Sequence, residues 1–311
     1  MRLIVLYNDR MTEFGLSFSL HRCSELSLDK QAVLTAAIND LAITRYRLMS
    51  YWDIHESQQG QYNFAELDWQ MDMVAAAGGS VTLCLGVRQP RWPEFHMPSW
   101  AEHLPADQWH AALLAFVQQV VERYKNHPAL VSWQLENEAL LKTFGDNTEG
   151  DFDRERLKKE YKLVKTLDPN HPVIMTLSDS FGIPFRAPKP DLYAMSMYRV
   201  IMDAQGVTHY SKRPAWFYRL RKNLILLLRF RHTFIHELQA EMWANRAITE
   251  VPIDEQLAQM NPTQLAKNVH FAQACGMPTI DVWGLEWWYW LKVTHNRPEN
   301  WDEMRVLFSS R

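Results

Sequence analysis

The chain has little cysteine and no long apolar run. Its 311 residues include 3 cysteines, Cys23, Cys84 and Cys275, and no two of them form a CxxC pair. An odd number of widely spaced cysteines suits neither a disulfide framework nor a zinc knuckle, so we expect reduced thiols in the core. Near the start, residues 3–7 are the only apolar run, which is too short for a signal peptide or a membrane span. We therefore expect a cytoplasmic protein with no membrane span.

An excess of charge of one sign is also missing. The chain has 33 Lys+Arg against 36 Asp+Glu, a formal net charge of −3. A nucleic-acid-binding surface needs clustered lysine and arginine to neutralise phosphates, so we expect no nucleic-acid partner.

One segment is more basic than the rest of the chain. The apolar run 224–228 is flanked by Arg219, Arg221 and Lys222 on one side and by Arg229 and Arg231 on the other. We predict a barrel helix with a basic outer face, although a helix lying on a membrane surface has the same pattern.

Nucleotide and metal motifs are absent. No GxGxxG follows the first predicted strand, and neither GxxxxGK[ST] nor HExxH occurs anywhere. We therefore expect no cofactor and no metal ion. A barrel can still assemble ligands from distant strand ends, which leaves open a metal-dependent hydrolase that uses His21, His236 and nearby acids.

Aromatic residues are abundant. The chain contains 14 Phe, 13 Trp and 11 Tyr, together 12% of its residues, and the tryptophans stand mostly beside polar residues. An aromatic ring with a polar edge suits an interface or the apolar face of a sugar. The composition therefore favours one of these two surfaces.

Eight short apolar runs alternate with amphipathic segments along the chain. The predicted strands begin near residues 15, 44, 81, 130, 173, 193, 233 and 279. Between them lie helical patterns with start signals such as Asp29 and Asn261-Pro262. Eight such alternations predict an α/β protein with a single (β/α)8 TIM barrel over residues 1–311. The fifth crossover, around 181–192, is expected to be short because its prolines leave little room for a helix.

Catalytic groups of such barrels lie at the carboxyl ends of the strands, where unusual polar residues are informative. The fourth predicted strand ends in Glu136-Asn137-Glu138 and the seventh in His236-Glu237. A carboxylate at the end of a buried strand is costly without a partner or a chemical task. From spacing alone, Glu138 and Glu237 are either catalytic or buried acids paired with arginine.

These residues resemble the clan GH-A glycoside hydrolases, which are retaining (β/α)8-barrel enzymes that include cellulases, mannanases and β-galactosidases. In that clan an Asn-Glu pair ends the fourth strand, and its glutamate is the acid/base. A glutamate that ends the seventh strand is the nucleophile. Asn137-Glu138 and Glu237 match in identity, strand number and order. Residues 56–68 also resemble the clan's E-x-x-x-G-x-Y-x-F-x-x-L-D stretch.

The resemblance implies roles for further residues. Arg47 on the second strand and Tyr198 on the sixth would support the nucleophile, and Asn137 would hydrogen-bond the sugar 2-OH. The segment 90–93 resembles the P-x-W segment that lines the sugar cleft. Candidate stacking platforms for the sugar are Trp52, Trp92, Trp283, Trp287 and Trp288. Glu136 and Glu241 are expected to be local supporting acids.

The function implied is a retaining glycoside hydrolase that cleaves β-glycosidic bonds in oligo- or polysaccharides by double displacement. The carboxyl groups of Glu138 and Glu237 would then lie about 5–5.5 Å apart. A non-catalytic carbohydrate-binding barrel and a transglycosylase are the alternatives, since both would share these residues. Ser17, His21 and Arg88 match no single family of the clan, so the sugar, the linkage and the oligomeric state are left open.

Overall fold

A closed barrel of eight parallel strands forms the body of the protein in the computed structural model. The structure describes residues 12–90, 94–139, 141, 153–179, 184, 188–203 and 205–309. The strands are β1 (Glu13–Ser17), β2 (Arg45–Met49), β3 (Ser80–Leu85), β4 (Leu130–Leu135), β5 (Val173–Leu177), β6 (Leu192–Met197), β7 (Val200–Met202), β8 (Thr208–Tyr210), β9 (Thr233–Gln239) and β10 (Thr279–Trp283).

The barrel strands follow one another in chain order around the barrel, and β10 pairs with β1 to close it. Each of the eight predicted strands coincides with a barrel strand and begins within two residues of its expected start. The prediction of a single TIM barrel is therefore confirmed. The strands are buried along nearly their whole length, as expected for a parallel sheet covered by helices.

Helices surround the barrel. They are α1 (Leu20–Glu25), α2 (Lys30–Asp40), α3 (Trp52–His55), α4 (Ala65–Ala76), α5 (Ala106–Tyr124), α6 (Arg154–Leu167), α7 (Ala215–Arg229), α8 (Ile253–Gln259), α9 (Pro262–Ala274), α10 (Leu285–Thr294) and α11 (Glu299–Ser309). Asp29 and Asn261 cap α2 and α9 through their side chains. Within the described ranges, no helix has both the length and the apolar character needed to cross a bilayer.

The three cysteines are buried and unbridged. Burial raises the pKa of Cys84 to about 11 and that of Cys275 to about 12, so both stay protonated and unreactive at neutral pH. The expectation of reduced core thiols is confirmed.

Two features of the crossovers bear on the predictions. The strands β7 and β8 form an antiparallel hairpin directly after β6, which the sequence pattern did not reveal. In the fifth crossover, residues 180–183 and 185–187 lie outside the described part of the chain. The short fifth crossover therefore stays a prediction.

The helix α7 forms over the basic segment as predicted, but the character of its outer face differs from the prediction. Trp216, Leu220 and Leu227 are exposed there, whereas a basic surface was expected.

Candidate active site

A cavity of about 1240 Å³ opens at the carboxyl ends of the barrel strands. Glu138 from the end of β4 and Glu237 from β9 both line it, together with Tyr198 and Trp283. Their position follows from the fold, because the carboxyl ends of all parallel barrel strands open on the same face. The structure therefore brings the two candidate catalytic glutamates into one cavity, and their 5–5.5 Å separation stays a prediction.

Arg47 connects three strands beneath this cavity. Its side chain is fully buried on β2, where Nη1 donates to Glu237 Oε2 at 2.8 Å and Nη2 donates to Asn137 Oδ1 at 2.9 Å. Its Nε donates to Gln134 Oε1 at 2.8 Å. A buried guanidinium is tolerated only when its donors are satisfied. Arg47 thus fixes the ends of β4 and β9 relative to each other.

Tyr198 holds the second oxygen of Glu237. Its hydroxyl donates to Glu237 Oε1, while Arg47 serves Oε2. Burial and the charge of Glu237 raise the pKa of Tyr198 well above its usual value, so the phenol stays a donor. Donors from β2 and from the residue after β6 therefore hold both oxygens of the Glu237 carboxyl group in place.

The environment of Glu138 disfavours its ionised form. It is buried, and Ser196 Oγ donates to its Oε1 at 2.5 Å. Burial, and next the charge of Glu237, raise the pKa of Glu138 to about 7. Near neutral pH this environment keeps part of the Glu138 population protonated, which is the state that a general acid needs.

The backbone is strained where these acids lie. Glu94, Glu136 and Glu138 have φ angles of 66°, 53° and 44°. Side-chain-bearing residues rarely adopt this left-handed region, and each instance costs about 1–3 kcal/mol. Such strain concentrates at functional sites, since surrounding contacts hold it in place.

Glu136 makes several of the contacts that hold this strained backbone in place. Its carboxylate accepts the backbone N–H groups of Val87 and Arg88 at 3.1 and 2.6 Å, and Arg156 Nη1 at 2.5 Å. Gly86, at φ 106°, has no space for a side chain, because a Cβ atom would lie 2.4 Å from the Glu136 carboxyl carbon. Glu136 therefore fastens the end of β3 to β4 and does not line the cavity.

Glu94 is a third acid in the cavity, and the sequence pattern missed it. Only 9% exposed, it lines the cavity and accepts a hydrogen bond from Asn137 Nδ2 at 3.1 Å. Burial and the charges of Glu138 and Glu237 raise the pKa of Glu94 well above its usual value. It lies in a loop rather than at a strand end, so no periodic signal pointed to it.

Ser196 was also missed, although the sequence held a signal for it. It lies two residues before Tyr198, and side chains at this spacing share one face of a strand.

The tryptophans divide between the cavity and the core. Trp283 lines the cavity and donates to Glu241 Oε1 at 3.0 Å, and Glu241 also pairs with Arg22. Trp243, which sequence analysis missed, lines the cavity too and packs edge-on against Tyr198, with the ring centroids 5.2 Å apart.

Three of the proposed stacking platforms do not reach the cavity. Trp52, Trp287 and Trp288 are fully buried, and their ring N–H groups donate to Glu56, Gln256 and the Ala240 carbonyl. A ring with no exposed face cannot stack on a sugar, so the expectation is wrong for these three. Trp92 lies outside the described residues, and its role stays a prediction.

His21 and His236 do not come together. His236 is buried below the cavity, where Nδ1 lies 2.6 Å from Asp281 Oδ2 and Nε2 lies 2.5 Å from Gln134 Oε1. The metal-dependent alternative that relied on both histidines therefore has no support from their placement.

His21 instead joins Asp53 and His96, one group of three possible metal ligands in the described chain. Asp53 Oδ2 lies 3.1 Å from His21 Nε2 and 3.9 Å from His96 Nδ1. Although burial opposes it, hydrogen bonds from both histidines lower the pKa of Asp53. The two imidazole rings are stacked, with centroids 4.8 Å apart and an interplanar angle of 18°. One nitrogen of each ring and a carboxylate oxygen of Asp53 lie within 4.8 Å of one another, and the expectation of no metal ion stays a prediction.

Parts of the chain are similar to known glycosidases. The model of the family described as glycosyl hydrolases family 2, TIM barrel domain, matches residues 72–216. The chain is similar to the β-galactosidase LacZ of Heyndrickxia coagulans, with 27% identity over 160 residues, which is 45% of this chain and 23% of that protein. It is also 29% identical over 139 residues to the β-galactosidase BgaB of a Geobacillus strain, covering 38% of this chain and 20% of that protein.

Solved structures share the fold. A β-galactosidase from Marinomonas ef1 superposes with a TM-score of 0.62 at 12% identity, covering 96% of this chain and 59% of that one. A GH5_18 protein from Streptomyces cattleya, solved with GlcNAc, gives a TM-score of 0.60 at 12% identity, covering 88% and 70%. These structures share the (β/α)8-barrel fold with this chain. The chain spans less than a quarter of the length of the curated relatives that it matches.

Replacing Glu138 by glutamine should stabilise the barrel above neutral pH. Folding raises the pKa of Glu138 from 4.5 to about 7, so the folded protein binds an extra proton in this range and loses stability as pH rises through it. The full shift corresponds to about 3 kcal/mol. We expect urea unfolding to show Glu138→Gln more stable than the wild type at pH 8, with a much smaller difference at pH 5.

The exposed residue Glu102 offers a matched control. Glu102→Gln should change stability equally little at both pH values. Equal stability of Glu138→Gln and the wild type at pH 8 would show that the burial of Glu138 carries no such cost.

Proposed function

We propose that the protein hydrolyses β-glycosidic bonds in oligo- or polysaccharides with retention of configuration. The observation that supports this most strongly is the pair of opposite carboxyl environments in one cavity. Glu237 accepts hydrogen bonds from Arg47 and Tyr198, while the pKa of Glu138 rises to about 7. Retaining glycosidases need one carboxylate to attack the sugar and one carboxylic acid to protonate the leaving group.

In the first step, a carboxylate oxygen of Glu237 forms a bond to the anomeric carbon. The bond between that carbon and the leaving oxygen breaks, and Glu138 donates its proton to this oxygen. The product is a glycosyl ester of Glu237. Arg47 and Tyr198 hold both oxygens of Glu237 in the ground state, so the nucleophile needs little reorganisation before attack.

The second step follows from the loss of charge on Glu237. Once the ester has formed, the anion that helped to raise the pKa of Glu138 is gone. Glu138 is then a carboxylate that takes a proton from water while the water oxygen bonds to the anomeric carbon. The ester bond between that carbon and Glu237 breaks, which releases the sugar and restores the Glu237 carboxylate. The same residue thus acts as acid and then as base, because its partner changes charge between the steps.

Asn137 and Glu94 supply the polar part of the proposed sugar site. Asn137 Oδ1 is held by Arg47, which turns its NH2 group toward Glu94. We assign this NH2 group to the sugar 2-OH, a contact that strengthens in the transition state. Glu94 lines the same cavity, and its carboxyl group can hydrogen-bond another sugar hydroxyl.

A panel of aryl β-glycosides and β-linked polysaccharides tests the proposal. Relatives and structural neighbours are named β-galactosidases and an exo-β-1,4-mannosidase from an Opitutaceae bacterium, so galactosides and mannosides come first. Sugar binding without turnover would indicate the non-catalytic barrel. Transfer to added acceptor sugars in preference to water would indicate the transglycosylase.

Glu237 is predicted to be the nucleophile. Glu237→Gln should fold and should lose several orders of magnitude in kcat, because the amide cannot form the glycosyl ester. An activated 2-deoxy-2-fluoro glycoside should label the wild type at Glu237, as read by peptide mass spectrometry. Labelling at Glu241, which also lines the cavity, would overturn the assignment.

Glu138 is predicted to be the acid/base. Glu138→Ala should reduce kcat/KM far more for glycosides with poor leaving groups than for activated aryl glycosides, since only the former need a proton. In the wild type, kcat/KM should fall as pH rises through about 7, where Glu138 loses its proton, and the variant should lack this fall on an activated substrate.

Azide provides a second readout for Glu138→Ala. Added azide should restore turnover of the activated substrate and yield a β-glycosyl azide, because a small anion can occupy the space left by the carboxylate. An equal loss on both kinds of leaving group with no azide rescue would mean that Glu138 is a structural acid.

A further inference from the structure

One side of α7 exposes apolar side chains to solvent. Trp216, Leu220 and Leu227 are 58%, 48% and 65% exposed, and their spacing of four and seven residues places them on one side of the helix. Phe230, at 71%, continues this surface past the end of the helix. We call these four residues the α7 ridge. The opposite side, which includes Tyr218 and Ile225, packs into the protein.

Another barrel helix shows that an apolar outer face is not required by the fold. Helix α6 has nearly the same length as α7 and an amphipathic pattern of similar strength. Its exposed positions are all polar: Arg154, Glu155, Lys158, Lys159, Lys162 and Thr166. A contiguous exposed apolar surface of the α7 kind marks a site of interaction with another surface.

The charges around the ridge indicate what that surface is. Residues 211–232 contain seven Lys+Arg and no Asp or Glu, in a chain whose net charge is −3. Arg219 Nη1 and Lys222 Nζ donate to the carbonyl oxygens of Ala274 and Gly276, which places them along the edge that faces α9. Arg231 donates to the Pro190 carbonyl at the end of the ridge. Carbonyl oxygens do not neutralise the charges of these three side chains, whereas Arg213 forms an ion pair with Asp179.

We propose that the α7 ridge docks the protein on the surface of an anionic phospholipid bilayer. An interfacial helix inserts its apolar side chains at the boundary between headgroups and acyl chains, while adjacent lysine and arginine side chains contact anionic headgroups. Trp216 suits this boundary because its ring is apolar and its N–H group is polar. The proposal stands on the ridge and its charges, and it does not depend on the proposed glycosidase activity.

A second copy of the chain fits the α7 ridge less well than an anionic bilayer does. A symmetric contact through the ridge would bring two sets of cations together, and this repulsion opposes association.

The face that docks on the bilayer would also adjoin the mouth of the cavity. Tyr210 and Lys212, which precede α7 by a few residues, line that cavity.

Sedimentation with phospholipid vesicles tests the proposal. The full chain is mixed with vesicles of phosphatidylcholine alone or of phosphatidylcholine with phosphatidylserine, at low and high NaCl. We expect at least tenfold tighter binding to the anionic vesicles, which weakens as salt screens the charges. No binding to anionic vesicles, or equal binding to both kinds, would overturn the proposal.

A matched pair of variants separates the ridge from overall charge. Leu227→Glu places a carboxylate in the ridge, and Thr166→Glu makes the same change in charge at an exposed position of α6. We expect Leu227→Glu to lose at least tenfold in affinity for anionic vesicles and Thr166→Glu to lose little. Thermal unfolding midpoints check that both variants fold, because both positions are exposed.

Light scattering tests whether a second copy of the chain, and not a bilayer, covers the α7 ridge. A wild-type dimer that Leu227→Glu dissociates would show that a second copy covers the ridge and would overturn the bilayer proposal. Equal losses of vesicle binding in both variants would also overturn it, since binding would then follow net charge and not the ridge.

Discussion

The candidate site depends on one buried guanidinium. Arg47 contacts Glu237, Asn137 and Gln134 from a position with no access to solvent, and these partners belong to β9 and to β4 with its following loop. Removing the guanidinium would leave Glu237 without its cationic partner and would remove one of the hydrogen bonds that hold the Asn137 side chain. A buried charge without its partner typically costs 3–5 kcal/mol. The geometry of the acids and the closure of the barrel around them are therefore linked.

The cavity holds more carboxyl groups than can be ionised together. Glu94, Glu138 and Glu237 all line it, and Arg47 forms an ion pair with Glu237. The pKa values of Glu94 and Glu138 rise because burial and the charge of Glu237 both disfavour further anions. The proposed double displacement needs a protonated Glu138, and this raised pKa supports that part of the proposal. This arrangement of carboxyl groups costs stability in two ways. The backbone is strained at Glu94 and Glu138, and burial destabilises the ionised form of Glu138.

The barrel could be predicted from sequence because its strands are short apolar runs at regular intervals, with strong helix signals such as Asn261-Pro262 between them. The same periodicity located Glu138 and Glu237 at strand ends, and the structure brings both into one cavity. Glu94 could not be found in this way, since a loop has no period. The prediction that three of the tryptophans stack on the sugar was wrong for another reason. Helix α10, which carries Trp287 and Trp288, is apolar on nearly every side, so its sequence does not show which face meets the barrel. The contact partners of these rings come from residues distant in sequence, which no local pattern contains.

The most direct test of the account is the configuration of the first product, followed by proton NMR during hydrolysis of an activated aryl β-glycoside that the protein turns over. Attack by Glu237, with Glu138 as acid and then base, involves two inversions at the anomeric carbon. The account predicts that the β-anomer of the free sugar appears first and that the α-anomer follows only at the rate of spontaneous mutarotation. Appearance of the α-anomer first would mean a single displacement by water, and it would contradict the assignment of Glu237 as nucleophile.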